Sequence, residues 1–133
     1  MLSNNLLDAI LTELGADYQF VSSSPVSGGD INNSYRLTTN RGSLFVKTNF
    51  ASTFPGMFER EGKGLEMLRN ANAIRIPKVV AHGDAEDTSF LVLEWIESTA
   101  PKPNFWECFG AQLAKLHQTC LLYTSDAADE CSC

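Results

Sequence analysis

Three features of the sequence could together bind a phosphate group: a glycine pair, a lysine and a glutamate. Gly28 and Gly29 stand in a polar stretch, Lys47 ends the apolar run SLFVK, and Glu61 follows in the next helical segment. Glycines allow a backbone to approach a ligand closely and to turn its N–H groups toward an anion. A lysine held by a glutamate can contact the same phosphates. Because a glycine pair alone is typical of a simple turn, the hypothesis depends on the lysine and the glutamate.

The glycine pair fits neither of two common phosphate-binding signatures. No Gly-Lys-Ser or Gly-Lys-Thr follows it, as a Walker A loop requires, and the G-x-G-x-x-G spacing is missing. A phosphate site built on this loop must therefore be of another kind.

Lys47 and Glu61 are each hard to place alone, and a pairing between them would solve both problems. Glu61 lies three residues after Phe58 and four before Leu65, so it shares their apolar helix face, where an unpaired carboxylate is costly. Alone, Glu61 could lie at the rim of that face and reach solvent. Lys47 follows the pleat of Phe45, and alone it could protect an edge strand from aggregation. We predict instead that a strand packed under the helix brings the ammonium group to the carboxylate.

The hydrophobic patterns predict an α+β fold. The first helix covers residues 5–14, with Asn5 as N-cap and Gly15 as stop signal, and the second covers residues 57–70. Five strands are predicted in DYQFVSSSPV, NSYRLTT, GSLFVKTN, IRIPKVVAHGD and TSFLVLEWIE, with turns at Asn40-Arg41-Gly42 and Gly83-Asp84. The last amphipathic helix, FWECFGAQLAKLHQ, carries on one face Phe105, Phe109, Leu113 and Leu116. Consecutive hairpins predict an antiparallel sheet of about five strands, with the inserted helix packed on one face.

Composition and charge narrow the class of protein. The 133 residues carry a formal net charge of −6, which disfavours a duplex nucleic acid as partner but not a single nucleotide. No run approaches the roughly 20 apolar residues of a membrane span, and the N-terminus lacks the pattern of a secretion signal. We therefore expect a cytoplasmic protein of one domain that has no membrane partner.

The cysteines predict free thiols. Cys108 stands alone, while Cys120, Cys131 and Cys133 lie near the C-terminus. A Cys-x-Cys pair with no second pair or nearby histidine is a poor zinc pattern, so no metal site is predicted. Without a secretion signal, a disulfide framework is unexpected.

Several stretches of the chain resemble the N-terminal lobe of the fructosamine kinase (ketosamine-3-kinase) family, which is related to aminoglycoside and choline kinases. The matching text spans roughly residues 18–118 and comprises SGGDINNSYRL, GSLFVKTN, MFEREGKGLEML, IRIPKVVAHGD, SFLVLEWIE and FGAQLAKLHQ. The order of glycine loop, strand lysine and helix glutamate is that of protein-kinase-like enzymes in general. The run GGDIN, followed by FVK and by MFE-x-E, is more particular to this family.

The resemblance implies a protein-kinase-like N-lobe that binds ATP, with Mg²⁺ as the accompanying metal. It implies an ATP site made of Gly28, Gly29, Asp30, Ile31, Asn32, Lys47, Glu61, Glu94, Trp95 and Ile96. In this resemblance Lys47 is the phosphate-binding lysine, Glu61 is its partner, and the last three residues contact adenine. Family members phosphorylate the 3-hydroxyl of the sugar part of ketoamines on glycated amines and proteins, which reverses early glycation. The implied partners are therefore ATP and a ketoamine substrate.

The chain departs from the family after its last predicted helix, because too few residues follow for a C-lobe. We expect residues 1–97 to form the N-lobe, 98–118 a linker and the first C-lobe helix, and 119–133 a tail. The tail text CLLYTSDAADE looks like translated adapter sequence, although a divergent native C-terminus stays open. The catalytic base and the metal ligands belong to the missing lobe, so we expect no catalytic residue in this chain and an inactive fragment.

Two further interpretations stay open from the sequence. The acceptor could be an aminoglycoside, choline or homoserine, since the substrate pocket lies mostly in the C-lobe. The chain could also be a non-catalytic nucleotide-binding module.

One motif is interpreted as structural. His82-Gly83-Asp84 resembles the His-Gly-Asp of the catalytic loop in this superfamily, but the Leu and Asn that complete that motif are absent. It also precedes the linker strand, whereas a catalytic loop comes far after it. We therefore interpret it as a plain turn between strands.

Overall fold

Within residues 1–29, 31–98 and 100–127, which the computed structural model describes, three helices and five strands follow one another in the predicted order. The helices are α1 (Asn4–Leu14), α2 (Met57–Asn70) and α3 (Phe105–Ala127). The strands are β1 (Phe20–Val26), β2 (Asn33–Thr39), β3 (Gly42–Phe50), β4 (Val79–Ala85) and β5 (Thr88–Glu94). The predicted α+β fold is thereby confirmed, with five strands and one helix inserted after the third strand.

The strands form one antiparallel sheet in the order β1-β2-β3-β5-β4. The hairpin between β2 and β3 pairs Thr39 with Gly42, so Asn40 and Arg41 make the turn where the sequence predicted it. The hairpin of β4 and β5 joins the sheet through β5, which therefore lies beside β3. The five inner residues of β5, from Ser89 to Leu93, are all buried, which explains the uninterrupted apolar run FLVL.

Both faces of the sheet are covered, and alternation along β3 assigns each side chain to one of them. Leu44 and Val46 point toward α1 and pack in a core that also contains Ile10. Phe45 packs on the opposite face, in the cluster formed by Phe58 of α2 and two β5 leucines. The sequence predicted a helix on one face; the second covering helix, α1, is a structural finding.

The N-terminal cap of α1 differs from the predicted one. The hydroxyl of Ser3 accepts a hydrogen bond of 3.3 Å from the N–H of Leu6, which makes Ser3 the N-cap. The prediction of Asn5 as N-cap is wrong, because Asn5 lies inside the first turn and its Nδ2 donates to Glu86 Oε1 over 3.0 Å. The stop at Gly15 is confirmed, since this glycine caps the helix with a φ of 106°.

The turn between β4 and β5 was predicted at the wrong residues. Gly83 and Asp84 lie within β4, and the chain turns at Glu86 and Asp87, with Glu86 at a φ of 55°. A Cβ added to Gly83 would lie 2.9 Å from Cζ of Phe90, so the glycine is required by the close approach of a buried ring. The interpretation of His82-Gly83-Asp84 as a plain turn is therefore wrong: the motif is strand.

Helix α3 is longer than predicted and is only partly packed. It runs from Phe105 to Ala127, across the expected boundary between residues 118 and 119. Leu116 is buried beside Ala73, while Phe105 and Phe109 stay 39% and 37% exposed, so only the later part of the predicted apolar face is covered. Residues 128–133 and the side chains from residue 120 onward lie outside the described part, and the division into 1–97, 98–118 and 119–133 stays a prediction. No helix of the described part has both the length and the apolar composition to cross a membrane.

Candidate functional site

Lys47 and Glu61 form the predicted ion pair. The Nζ of Lys47 donates a hydrogen bond to Oε1 of Glu61 over 2.5 Å. Lys47 pairs with Leu91 across β3 and β5, and both side chains point to the face that α2 covers. The side chains of the pair are 22% and 26% exposed, so the pair lies at the margin of the core. This partial burial restricts the movement of the two side chains and still leaves the ammonium group of Lys47 accessible to a ligand.

The glycine pair lies in the loop between β1 and β2, and its backbone has the conformation that requires glycine. The φ angles of Gly28 and Gly29 are 123° and 104°, a region that residues with a side chain rarely adopt. Ile31 is 59% exposed, and Asp30 lies outside the described residues. At these two residues no side chain shields the backbone of the loop (residues 27–32, hereafter the glycine loop), and the binding of a ligand by this loop stays a prediction.

The register of the sheet places the glycine loop at the same end as Lys47. Strand β2 begins at Asn33, directly after the loop, and Asn33 pairs with Thr48 of β3. The next pair along the ladder is Ser34 with Lys47. The end of the glycine loop and the lysine are thus neighbours across two hydrogen-bonded strands.

The segment that follows β5 lies at the opposite end of the β3 ladder. Glu94 ends β5, its N–H donates to the carbonyl of Lys78 over 2.9 Å, and its carboxylate lies 3.7 Å from Arg75. These contacts give Glu94 a structural role. Trp95 and Ile96 follow as the first residues beyond the strand, so they are freer to present backbone groups to a ligand.

An aromatic surface lies between the lysine and this linker. Phe45 precedes Lys47 by two residues on the same strand face, a separation of about 7 Å. Its ring centroid is 6.2 Å from that of Trp95, and Cζ of Arg36 lies 4.6 Å from the centroid of the Trp95 ring. The Nε of Arg36 donates a hydrogen bond of 3.0 Å to the hydroxyl of Ser43. The Nη2 of Arg36 lies 3.6 Å from Oε1 of Glu97. Two aromatic rings, tilted by 40° to each other, thus lie between the cationic group and the linker.

The arrangement can hold an elongated ligand with an anionic end and a flat end. Lys47 and the backbone of the glycine loop suit phosphate groups, and Phe45 suits an aromatic ring. Within the described residues, no group of three His, Cys, Asp or Glu side chains is placed to hold a metal ion. His82 lies on β4, at the far edge of the sheet from the glycine loop.

Sequence reasoning found the ion pair and the loop but missed two side chains on the same strand face. Phe45 was considered only as a marker of the pleat. Asn49 was not considered, although it is buried and its Nδ2 donates to Oδ1 of Asn32 over 3.2 Å. The sequence did indicate their position: Phe45, Lys47 and Asn49 are every second residue of β3, so their side chains share one face.

The fold and the site together define a protein-kinase-like N-lobe, and a solved structure shares this fold. The crystal structure assigned to a fructosamine-3-kinase of Haemophilus somnus 129PT superposes with a TM-score of 0.69 at 29% identity. That match covers 76% of this chain and 34% of the other. The family model described as fructosamine kinase matches residues 2–127. The chain belongs to the fructosamine kinase family.

Curated relatives carry names of the same kind. A protein named "Probable ketoamine kinase" from Synechocystis is 38% identical over 104 residues, which are 78% of this chain and 35% of that protein. The "Protein-ribulosamine 3-kinase, chloroplastic" of Arabidopsis thaliana is 35% identical over 119 residues, or 89% of this chain and 36% of that protein. The chain thus spans little more than a third of the length of these relatives.

Proposed function

We propose that this chain is the ATP-binding lobe of a kinase that phosphorylates ketoamines on glycated amines or proteins, and that the protein serves deglycation in the cytoplasm. The observation that carries the proposal is the ion pair of Lys47 and Glu61 beside a loop with two glycines at positive φ. The names of the relatives, ketoamine kinase and ribulosamine 3-kinase, support the choice of acceptor. Geometry supports the nucleotide part of the proposal, and membership of the family supports the acceptor.

In this proposal the phosphates lie under the glycine loop. Gly28 and Gly29 place no side chain between the backbone and a ligand, and backbone N–H groups suit phosphate oxygens. Asp30, Ile31 and Asn32 complete the loop. Lys47 donates to the phosphates, and Glu61 keeps the ammonium group directed toward them instead of letting it swing into solvent.

The adenine ring is proposed to lie on Phe45, against the linker. The ring of Phe45 offers an apolar stacking surface between Lys47 and Trp95. Since the N–H of Glu94 is already bonded to Lys78, Glu94 can contribute only its carbonyl to the base edge. Trp95 and Ile96 supply the other backbone groups.

Mg²⁺ is proposed to bind together with ATP, and it would neutralise charge on the transferring phosphoryl group. The residues described here do not fit the metal alone: Glu61 is engaged by Lys47, and no group of three ligating side chains occurs among them. We therefore propose that the metal ligands, the catalytic base and the acceptor site belong to the greater part of the family fold, which these residues do not span. Phosphoryl transfer depends almost entirely on positioning and charge stabilisation. The isolated 133-residue chain is accordingly expected to be inactive.

A chimera tests the proposal. Residues 1–97 of this chain replace the matching segment of the Synechocystis relative, and the purified chimera is incubated with ATP, Mg²⁺ and one acceptor at a time. The acceptors are a fructosyl amine, a ribulosyl amine, an aminoglycoside and choline. We expect transfer to a ketoamine that depends on Lys47, so that Lys47→Ala lowers the rate at least a hundredfold.

The outcomes of this experiment separate the alternatives. Because the acceptor site of the chimera comes from the relative, the chimera tests only the nucleotide part of the proposal. The acceptor is tested by giving the same compounds to the kinase that contains this chain together with its own remaining residues, and use of choline or the aminoglycoside alone by that kinase would contradict the ketoamine assignment. A folded chimera that binds ATP but transfers to no acceptor would favour a non-catalytic nucleotide-binding module. Lys63→Ala on the exposed face of α2 serves as the matched control and should leave the rate unchanged, because among the described residues Lys63 forms an ion pair only with Glu59 on its own helix.

A further inference from the structure

Asn49 connects its own strand, β3, to the glycine loop and to α2, three parts that the proposed function treats separately. It lies on β3, is only 6% exposed, and points to the same face as Lys47, two residues earlier. Its Nδ2 donates to Oδ1 of Asn32, at the end of the glycine loop, over 3.2 Å. The same Nδ2 lies 3.1 Å from Sδ of Met57, the first residue of α2. One buried amide group therefore contacts both the loop and the start of the helix.

The stability of the fold does not explain why an asparagine occupies position 49. The Oδ1 atom of Asn49 is buried and has no hydrogen-bond partner among the described residues. A buried acceptor without a partner costs free energy, and a sulfur atom is a weak acceptor for the amide N–H. A small apolar side chain would avoid that cost. The side-chain amide of Asn49 is better explained by its Nδ2 group, which contacts both Asn32 and Met57.

The two contacts on α2 have a consistent spacing. Met57 and Glu61 lie four residues apart, so they stand on the same side of α2, one turn from each other. Asn49 reaches the first of them and Lys47 the second, and these two β3 residues likewise share one face. Strand β3 thus holds α2 at two points, and the point nearer the helix start also holds the glycine loop.

We infer that Asn49 is a positioning residue that couples the glycine loop to α2, and through α2 to the Lys47–Glu61 pair. The inference rests on the proposed nucleotide site for its purpose, but the coupling itself is a property of the chain without nucleotide. When the loop is displaced, Asn49 loses its oxygen partner, and the first turn of α2 loses a fixed neighbour. The position of the loop and the position of Glu61 then change together.

Hydrogen–deuterium exchange of the 133-residue chain, read by mass spectrometry, tests the coupling without any nucleotide. We expect Asn49→Ala to raise exchange about tenfold in two segments, residues 27–33 and residues 57–65. Segments of β4 and β5 should stay as in the wild type. The melting temperature should fall little, because the substitution removes the unpartnered oxygen together with the donor. Thr48→Val, at the preceding residue of β3, whose buried side chain lies on the opposite face, is the matched control and should leave both segments unchanged.

Substitutions of Asn32 test the coupling from the other end and decide the question even if Asn49→Ala does not fold. Asn32→Ala removes the acceptor from a half-buried position, and it should raise exchange in the loop and, through Asn49, also in residues 57–65. Asn32→Asp keeps an acceptor oxygen and should behave like the wild type. Faster exchange in the loop alone, or equal acceleration across the whole sheet, would overturn the inference.

A second readout links the coupling to nucleotide binding. In the active chimera, Asn49→Ala should raise the KM for ATP about tenfold and leave the KM for the acceptor unchanged. An equal loss for both substrates would show a merely structural role and contradict the inference. An inactive wild-type chimera would count against the proposed function, while the exchange experiment would still decide the coupling.

Discussion

Lys47 of β3 and Glu61 of α2 are joined by a hydrogen bond of 2.5 Å between Nζ and Oε1, and each side chain keeps only about a quarter of its surface exposed. The pair fixes the helix to the strand at the margin of the core. Its partial burial gives it a strength between that of an exposed pair and that of a fully buried one.

A double-mutant cycle measures that strength. Lys47→Ala and Glu61→Ala should each lower the free energy of unfolding by about 1 to 3 kcal/mol, because each leaves a partly buried charge without its partner. The double variant should lose less than the sum of the two single losses, as denaturant unfolding would show. The exposed pair of Lys63 and Glu59 on the same helix is the internal comparison, and its removal should cost at most about 0.5 kcal/mol. Additive losses at Lys47 and Glu61 would mean that the observed contact contributes nothing.

The same substitution at two glycines should have opposite effects on stability. Gly64 lies inside α2 with open space where a Cβ would stand, so Gly64→Ala should raise the free energy of unfolding by about 0.5 to 1 kcal/mol. In Gly83→Ala the new Cβ would stand 2.9 Å from the buried ring of Phe90, and the loss should be about 1 to 3 kcal/mol. Thermal unfolding of the two variants beside the wild type checks both signs. A stable Gly83→Ala variant would show that the Phe90 ring has room to move.

The chain alone should transfer no phosphate. We expect the purified 133-residue protein, given ATP, Mg²⁺ and a fructosyl amine, to form no phosphorylated product above the background of the Lys47→Ala variant. The physical reason is that no group of three ligating side chains among the described residues is placed to hold the metal in line with an acceptor. Transfer that disappears in Lys47→Ala would contradict this expectation and would place the whole catalytic site within these residues.

Deletion of residues 124–133 should leave the melting temperature unchanged within about 2 °C. The last buried residue among the described side chains of α3 is Leu116, and TSDAADECSC offers few apolar groups that could offset about 1–2 kcal/mol of backbone entropy per ordered residue. Helix α3 itself continues to Ala127, so circular dichroism should show a small loss of helix. A drop in the melting temperature of about 5 °C or more would show that the tail packs on the domain.

The sequence predicted those parts of the molecule in which local pattern and long-range packing agree. Helix α2 begins and ends at the predicted residues, because its apolar positions recur at helical spacing and loops flank it. The ion pair was predictable because a carboxylate on an apolar helix face requires a partner. In contrast, Gly83-Asp84 has the composition of a turn, and only its pairing with Phe90 and Ser89 of β5 makes it part of a strand.

Other features could not be predicted because they depend on which surfaces meet. The leucines of α1 showed that the helix is amphipathic, but not that it covers the face of the sheet opposite α2. Asn49 follows Lys47 by two residues at the end of an apolar strand, where a polar side chain is ordinary. Its importance appears only when the glycine loop and the start of α2 are seen to meet at its amide group.

The central claim, that residues 1–97 form half of an ATP site around Lys47, is tested most directly by titrating the 133-residue chain with ATP and following backbone amides by NMR. We expect millimolar ATP to shift the signals of Gly28, Gly29 and Lys47 at one end, and those of Trp95 and Ile96 at the other. Adenosine should shift only the second group, and Lys47→Ala should weaken the response of the first. ATP-dependent shifts confined to the β4 edge or to α3, or none at all in the folded chain, would show that ATP does not bind around Lys47.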